Sequence, residues 1–456
     1  MKKVQEPTAR KTRTVATCRI HWQPRIGLLA ALVAMSVVML GGQELKHVPP
    51  TAPSFVVLHT FAGSPTDGRS PGAGLNQDPA GNLYGTTYGG GSACDGGSCG
   101  VVFRLSPSGT ETVLYRFTGG ADGANPDAGL IRDAAGNLYG TTVYGGACAL
   151  DTRGCGVVFK LSPTGAETVL HSFTGADGAN PEAGLIQDPA GNLYGTTVSG
   201  GGACGVSTLG CGVVFELIRS NSGYDYKVLH TFTVAADGAG PYAGVIRDAV
   251  GNLYGTTTGG GVSLICCGTV FKLSPAGTYT VLHSFTGGAE GEFPLAGLVL
   301  DSAGNFYGTT NSGGGSSSAC LGIASSCGVV FELIRCDTAA SGYEFKVVYS
   351  FTGGADGGTP SGVIRDGAGN LYGTTVVGGS TACPPRFVSG QCGVVFKLSP
   401  TGTEAVLHSF TGADGANPSA GLIQDTAGNL YGTTGSGGSS TCFSPFGCGV
   451  VFKLTP

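Results

Sequence analysis

Charge is scarce in this sequence: only 12% of its residues are Asp, Glu, Lys or Arg, about half the usual share. Of 24 Lys and Arg residues, seven (Lys2, Lys3, Arg10, Lys11, Arg13, Arg19 and Arg25) fall within the first 25 positions. The remainder is mildly acidic and has no basic stripe to neutralise phosphates, which argues against a nucleic-acid partner. Long hydrophobic runs are missing too. The longest, IGLLAALVAMSVVML at 26–40, falls short of the roughly 20 residues of a membrane span. No H-E-x-x-H, C-x-x-C-H or Walker-type glycine loop occurs, so the familiar metalloprotease, haem and nucleotide signatures are absent.

The basic stretch 1–25 followed by the apolar segment 26–42 has the layout of an export signal. The basic region is long and no A-x-A site follows, so a retained N-terminal anchor stands beside a cleaved signal peptide. Either places the bulk of the chain outside the cytoplasm. Residues 43–54 form a linker.

Glycine is abundant, at 84 of 456 residues, and it punctuates a repeat. GN[LF]YGTT begins at Gly81, Gly136, Gly191, Gly251, Gly304, Gly369 and Gly428. CG[VT]VF begins at Cys99, Cys155, Cys211, Cys267, Cys327, Cys392 and Cys448. A TVLHSF-like segment ends at Phe61, Phe117, Phe173, Phe232, Phe285, Phe351 and Phe410, and an AGLIxD-like segment ends at Asp78, Asp133, Asp188, Asp248, Asp301, Asp366 and Asp425. Each reads as a short strand bounded by turn residues. D-x-x-G-N and SPTGAE are short hairpins in which Asp caps the turn and Gly supplies positive φ.

In the order AGLIxD, NLYGTT, GVVFKL, TVLHSF (a, b, c, d), the segments make an antiparallel four-stranded meander. Seven such units predict a β-propeller over 55–456. The chain starts with an unpaired d strand, FVVLHTF, and ends on a c strand, GVVFKLTP. Pairing the two completes a seventh blade and removes an exposed edge. The expected fold is therefore all-β, a closed seven-bladed propeller with its ring sealed by the N-terminal strand.

The unit GVVFKLSPTGAETVLHSFTGADGANPEAGLIQDPAGNLYGTT resembles the GloVer tandem repeat, the "choice-of-anchor" family of bacterial exported proteins, and its layout is similar to that of NHL-type propellers. The resemblance covers nearly all of 55–456 and implies an extracytoplasmic repeat protein, with no catalytic residues to carry over. Members often end in a C-terminal sorting signal, whereas this chain stops at the propeller strand.

Fourteen of the 16 cysteines fall in pairs, one per b–c loop: Cys94 and Cys99, Cys148 and Cys155, Cys204 and Cys211, Cys266 and Cys267, Cys320 and Cys327, Cys383 and Cys392, Cys442 and Cys448. Confined to one short loop behind an export signal, they read as local disulfides. Zinc would need four ligands, and no histidine accompanies the pairs. Free thiols are the remaining reading. Cys266 and Cys267 are adjacent, so that pair is vicinally bonded, reduced or bridged elsewhere. Cys336 has no partner in its loop and is expected to be a free thiol or an intermolecular bridge. Cys18 is expected to stay reduced.

The b–c and d–a loops should share one face. Asp67, Asp122, Asp177, Asp237, Asp356 and Asp414, with Glu290 in the seventh place, repeat there. They read as calcium or polar-ligand carboxylates, or as turn caps. Arg132, Arg247 and Arg365 alternate with Gln77, Gln187 and Gln424, and with Leu300, in a strands expected to line the channel, where they hold an anion or sugar or act as solvated filler. His59, His171, His230, His283 and His408 recur symmetrically in d strands, which suits packing better than catalysis.

A site should break the symmetry. The asymmetric candidates are Tyr88, Tyr144, Asp151, Arg153, Glu290, Glu292, Phe387 and Phe443. The leading expectation is a non-catalytic, exported monomer presenting its stapled loops to a glycan or surface protein. It would need no cofactor, with calcium as the one alternative, and would touch membrane only through 26–40. An enzyme acting on a polysaccharide or small molecule at the channel mouth is the second reading, and a purely structural surface protein the third. An enzyme would show non-repeating His, Glu, Asp or Tyr converging within hydrogen-bond reach, with shifted pKa values.

Overall fold

A computed structural model describes residues 52–456 except 64, 66, 92, 95–96, 149–150, 205–208, 235, 262–265, 316–326, 380–382, 385–390, 439–441 and 443–445. The basic stretch, the apolar segment, most of the linker, Cys18, Cys320, Phe387 and Phe443 lie outside the described residues. Among those described there are seven four-stranded antiparallel sheets. We number them as blades 1 to 7, spanning 76–116, 131–172, 186–231, 246–284, 299–350, 358–409, and 423–455 with 54–60. Blade 2 is representative, with strands Ile131–Arg132, Leu138–Thr142, Val157–Leu161 and Glu167–Ser172 in spatial order a, b, c, d. Among the described residues the one helical element is a 3-10 turn, Gly288–Glu290, and no described helix is long and apolar enough to cross a membrane.

The predicted closure is present. Strand Ser54–Thr60 pairs antiparallel with Val450–Thr455, from Ser54 opposite Thr455 to Thr60 opposite Val450, and completes blade 7.

The repeat motif explains the core. The b-strand glycine of GTT lies directly opposite the c-strand phenylalanine, as Gly140 does Phe159. A Cβ at Gly140 would stand 2.7 Å from the Phe159 ring, so the missing side chain makes room for a fully buried aromatic. The d-strand phenylalanine then packs edge-on against the c-strand ring of the following blade. All seven junctions show this contact, from Phe61–Phe103 at 5.2 Å through Phe117–Phe159 at 5.1 Å to Phe410–Phe452 at 5.4 Å. Such edge-to-face pairs add to area burial.

Polar contacts bind the same junctions. The first b-strand threonine donates to a carbonyl of the next blade: Thr86 to Ala128, Thr141 to Ala183, Thr196 to Ala243, and Thr433 across the closure to Ala73, all at 3.0–3.1 Å. Blade 6 departs from this. It has one residue fewer before its a strand, which lengthens to Gly358–Arg365. Thr309 Oγ1 is left buried without a partner, while Ser361 donates to Pro418 O at 2.8 Å.

The hairpin carboxylates behave as expected of caps. Asp133 accepts from Asn137 N at 2.8 Å, Asn137 Nδ2 at 2.7 Å and the Tyr139 hydroxyl at 3.0 Å. Burial alone would raise such a carboxyl, but the hydrogen bonds from the asparagine side chain and backbone outweigh it, and the pKa lies below the ordinary value.

Five disulfides are described: Cys148–Cys155, Cys204–Cys211, Cys266–Cys267, Cys383–Cys392 and Cys442–Cys448. Cys99 and Cys327 are also oxidised, and their expected partners, Cys94 and Cys320, lie outside the side chains described. The adjacent pair is vicinally bonded, with a Cα separation of 3.6 Å against 5.2–5.8 Å in the other four. The free-thiol expectation for Cys336 is overturned: it is buried and disulfide-bonded, and no cysteine among the described residues is free. Its loop offers no partner, so a reading confined to local pairs could not find the bond. Replacing Cys148 and Cys155 together by serine is expected to cost about 2–3 kcal/mol in a denaturant melt, the chain entropy of a loop of about eight residues.

Candidate site at the channel mouth

The c–d and a–b hairpins share one face. A Cβ at Gly136 in the a–b turn would lie 3.4 Å from Pro163 of the c–d hairpin and 2.9 Å from the Arg132 guanidinium. Loops d–a and b–c share the other. Asn125, at φ 56 in the d–a loop, donates its amide to Tyr88 O at 2.8 Å in the preceding blade's b–c loop, and Asn180 and Asn417 do the same to Val143 O and Val376 O.

The repeated carboxylates on this loop face do not gather round the axis. Each is taken up by its own blade, beside the histidine or tyrosine of the outermost strand. His59 lies 3.4 Å from Asp67, His171 3.0 Å from Asp177, His230 3.3 Å from Asp237, His283 3.7 Å from Glu290 and His408 2.9 Å from Asp414. Tyr115 and Tyr349 donate to Asp122 and Asp356 at 3.1 Å. The preceding turn supplies further donors: Thr118 N and Oγ1 reach Asp122, and Thr174 N and Oγ1 reach Asp177. These groups close the loop after the d strand, and the histidines and acids are two halves of one unit.

The arginines also sit elsewhere than the sequence pattern implied. Arg132 lies over the Tyr84 ring at 5.9 Å, and Arg365 over Tyr307 at 5.5 Å with Asp301 at 3.9 Å. Arg247 borders a cavity with Tyr194. Arg132 and Arg365 thus lie in clefts between blades, against the tyrosine of the preceding blade. Where Gln77 and Gln424 replace arginine, the cleft between blades 7 and 1 stays open above Asp78, Asp425 and Lys453.

The axis is ringed instead by the glycine of AGLIxD. A Cβ at Gly129 would stand 3.0 Å from Gly74 O, one at Gly184 3.1 Å from Gly129 O, and one at Gly244 2.7 Å from Gly184 O. Backbones of blades 1 to 4 thus meet closely, and only glycine tolerates that approach. Two residues earlier, the x of P-x-A-G crowns the mouth. Its occupants are Gly72, Asp127, Glu182, Tyr242, Leu295 and Ser419. Gly72 lies between its two neighbours in the ring: a Cβ there would stand 3.0 Å from Asp127 and 3.4 Å from Ser419.

Here the sevenfold symmetry breaks. Burial raises Asp127 to about 6, and burial with the nearby Asp127 charge raises Glu182 to about 7. Among the described residues neither carboxylate has a hydrogen-bond partner. Burial raises the Tyr88 hydroxyl, with Tyr144, Asp127 and Glu182 adding to the shift, and burial raises Tyr242, with Glu182 and Tyr144 adding to it. Arg153 stacks 4.1 Å above the Tyr144 ring and pairs with Asp151 at 2.9 Å. Tyr88 and Tyr242 are each 37% exposed. Tyr88, Tyr144, Asp151 and Arg153 were singled out by the sequence, whereas Asp127, Glu182 and Tyr242 were not. Glu290 belongs to its turn, and Glu292 lies 4.0 Å from Cys267 Sγ.

Between blades a related acid is stranded. Glu167, with Oε1 buried and unpaired, faces Tyr115 and Asp122, and burial with the Asp122 charge raises it to about 7. An acid whose pKa is raised on folding favours the native state below its unfolded value, near 4.5, and loses that advantage as pH rises through about 7. Glu167→Gln should therefore raise Tm relative to wild type at pH 8 and leave it nearly unchanged at pH 4, as read by paired thermal melts.

The fold and the mouth together define a closed, disulfide-stapled seven-bladed propeller with one asymmetric, tyrosine- and acid-rich opening. The chain belongs to the Gloeobacter/Verrucomicrobia repeat family, whose sequence profile matches 45–209, 151–322 and 318–456. No curated protein matches it. Among solved structures it is similar to a gluconolactonase from Xanthomonas campestris, with 14% identity, 88% of this chain and 89% of that one covered, and a TM-score of 0.40. It is also similar to a luciferin-regenerating enzyme, with 14% identity, coverage of 72% and 90%, and a TM-score of 0.41.

Proposed function

We propose that this protein is an exported, non-catalytic glycan-binding propeller whose ligand sits at the loop-face mouth over blades 1 to 4. One observation carries the reading: Tyr88, Tyr144 and Tyr242 gather with Asp127, Glu182 and Arg153 on one side of an otherwise repetitive ring. Exposed tyrosines offer a sugar ring apolar contact at low entropic cost, and unpaired carboxylates accept hydrogen bonds from its hydroxyls. The open cleft between blades 7 and 1 is a weaker candidate, because its tyrosine, Tyr431, is buried. Disulfides throughout the loops fit an oxidising compartment, which supports export.

A second reading has its own support. Carboxyls at about 6 and about 7 suit a general acid–base pair, so an enzyme acting on a glycan at the same mouth is the alternative. No hydrogen bond links either acid to a histidine or a second acid among the described residues, which favours binding. Glycan-array binding followed by product analysis separates the two. Retention of intact ligand supports the binding module. Cleavage that disappears in Asp127→Asn or Glu182→Gln would replace it with the enzyme.

A further inference from the structure

The outermost strands follow a pairing rule with one exception. The residue six positions before each d-strand phenylalanine covers the His or Tyr of the preceding blade. Where that blade offers histidine, the cover is aromatic: Tyr226 stacks on His171 at 3.8 Å, Tyr279 on His230 at 4.1 Å, Phe345 on His283 at 4.1 Å and Phe55 on His408 at 3.6 Å. Where it offers tyrosine, the cover is glutamate, Glu167 beside Tyr115 and Glu404 beside Tyr349. At the junction of blades 7 and 1 the rule fails, and His59 faces Glu111.

His59 Nε2 and Glu111 Oε1 are both buried with no hydrogen-bond partner. Together with the Asp67 carboxylate they place three ligand atoms within 4.8 Å of one another. Asp67 is held in place by Ala62 N at 2.7 Å and Gly68 N at 2.6 Å. The side chains of His59 and Asp67 keep 19% and 10% exposure, so an ion can reach the cluster from solvent.

We propose that His59, Asp67 and Glu111 bind a divalent transition-metal cation, zinc by preference, which ties the ring-closing strand to blade 1. One imidazole and two carboxylates suit zinc, with water in the fourth position. Calcium asks for six or more oxygens and gains nothing from imidazole. His59 lies on the ring-closing strand, Asp67 in the loop that leads from it into blade 1, and Glu111 on the outermost strand of blade 1, so the ion adds a cross-link between the closing strand and the blade it packs against. This site is separate from the channel mouth and does not depend on what the mouth binds.

The test is calorimetric titration of the chelator-treated, oxidised full chain with zinc chloride, together with metal content by mass spectrometry. About one zinc per chain is expected, with a rise in Tm in excess zinc. Glu111→Tyr rebuilds the aromatic-on-histidine stack of the His171 and His230 junctions and should fold while weakening zinc binding by more than about tenfold. Glu111→Gln, which keeps the shape and removes the charge, should do the same. Absence of zinc binding in the wild type, or wild-type affinity in either folded variant, overturns the proposal.

Discussion

Removal of residues 52–61 is expected to yield aggregated or unfolded chain instead of a six-bladed ring. The closing strand contributes Phe61, fully buried and edge-on to Phe103 at 5.2 Å, and Phe55, stacked on His408 at 3.6 Å. Without it Val450–Thr455 becomes an unpaired edge over exposed core, a template for pairing with other chains. The other blades cannot shrink the ring, because Phe–Phe and Thr–carbonyl contacts fix the angle at each junction. Size-exclusion chromatography should show loss of the wild-type peak, and thermal melts loss of the cooperative transition. A truncated chain that elutes like the wild type and melts near the wild-type temperature would contradict the closure account.

Gly156→Ala is expected to destabilise by about 3 kcal/mol or more, a large effect for one methyl group. Gly156 follows the second cysteine at φ 88, where L side chains are strained. Its Cβ would stand 2.2 Å from Thr142 O and 2.7 Å from Pro181 Cδ of the next blade. Neither neighbour can retreat, since Thr142 is fully buried and Pro181 anchors the crossing between blades. The glycine of C-G-V-V-F is thus a fit of backbone against backbone. Chemical denaturation of Gly156→Ala beside Gly165→Ala would show whether the junction matters: both have positive φ, but the Gly165 Cβ would meet only Leu114 O at 3.4 Å. Equal losses in the two would reduce the effect to φ alone.

The ring was legible because its signals are local and repeated. The four repeated segments and the Asp-x-x-Gly-Asn hairpins each state one rule seven times, and the complementary chain ends state once how the ring closes. The site was legible only in part, for the opposite reason. Asp127, Glu182 and Tyr242 occupy one register of P-x-A-G, and along the chain they look like unconstrained loop variation. Only closure brings successive x positions side by side and turns that variation into a cluster. Their signal was the contrast itself: a position that changes in every repeat between a proline and an alanine–glycine pair that mostly do not. The histidines and turn acids were likewise read apart because six to eight residues and a loop separate each pair. Arg132 and Arg365 were expected to line the channel from their a strands, but their long side chains reach sideways onto the neighbouring blade's tyrosine.

The most direct measurement is glycan-array binding by the oxidised chain, compared with Tyr88→Ala and Tyr242→Ala. One glycan class should bind to wild type, and each variant should lose most of that signal while retaining the wild-type melt. Silence across the array, or binding undiminished in both variants, would contradict a glycan site at the mouth.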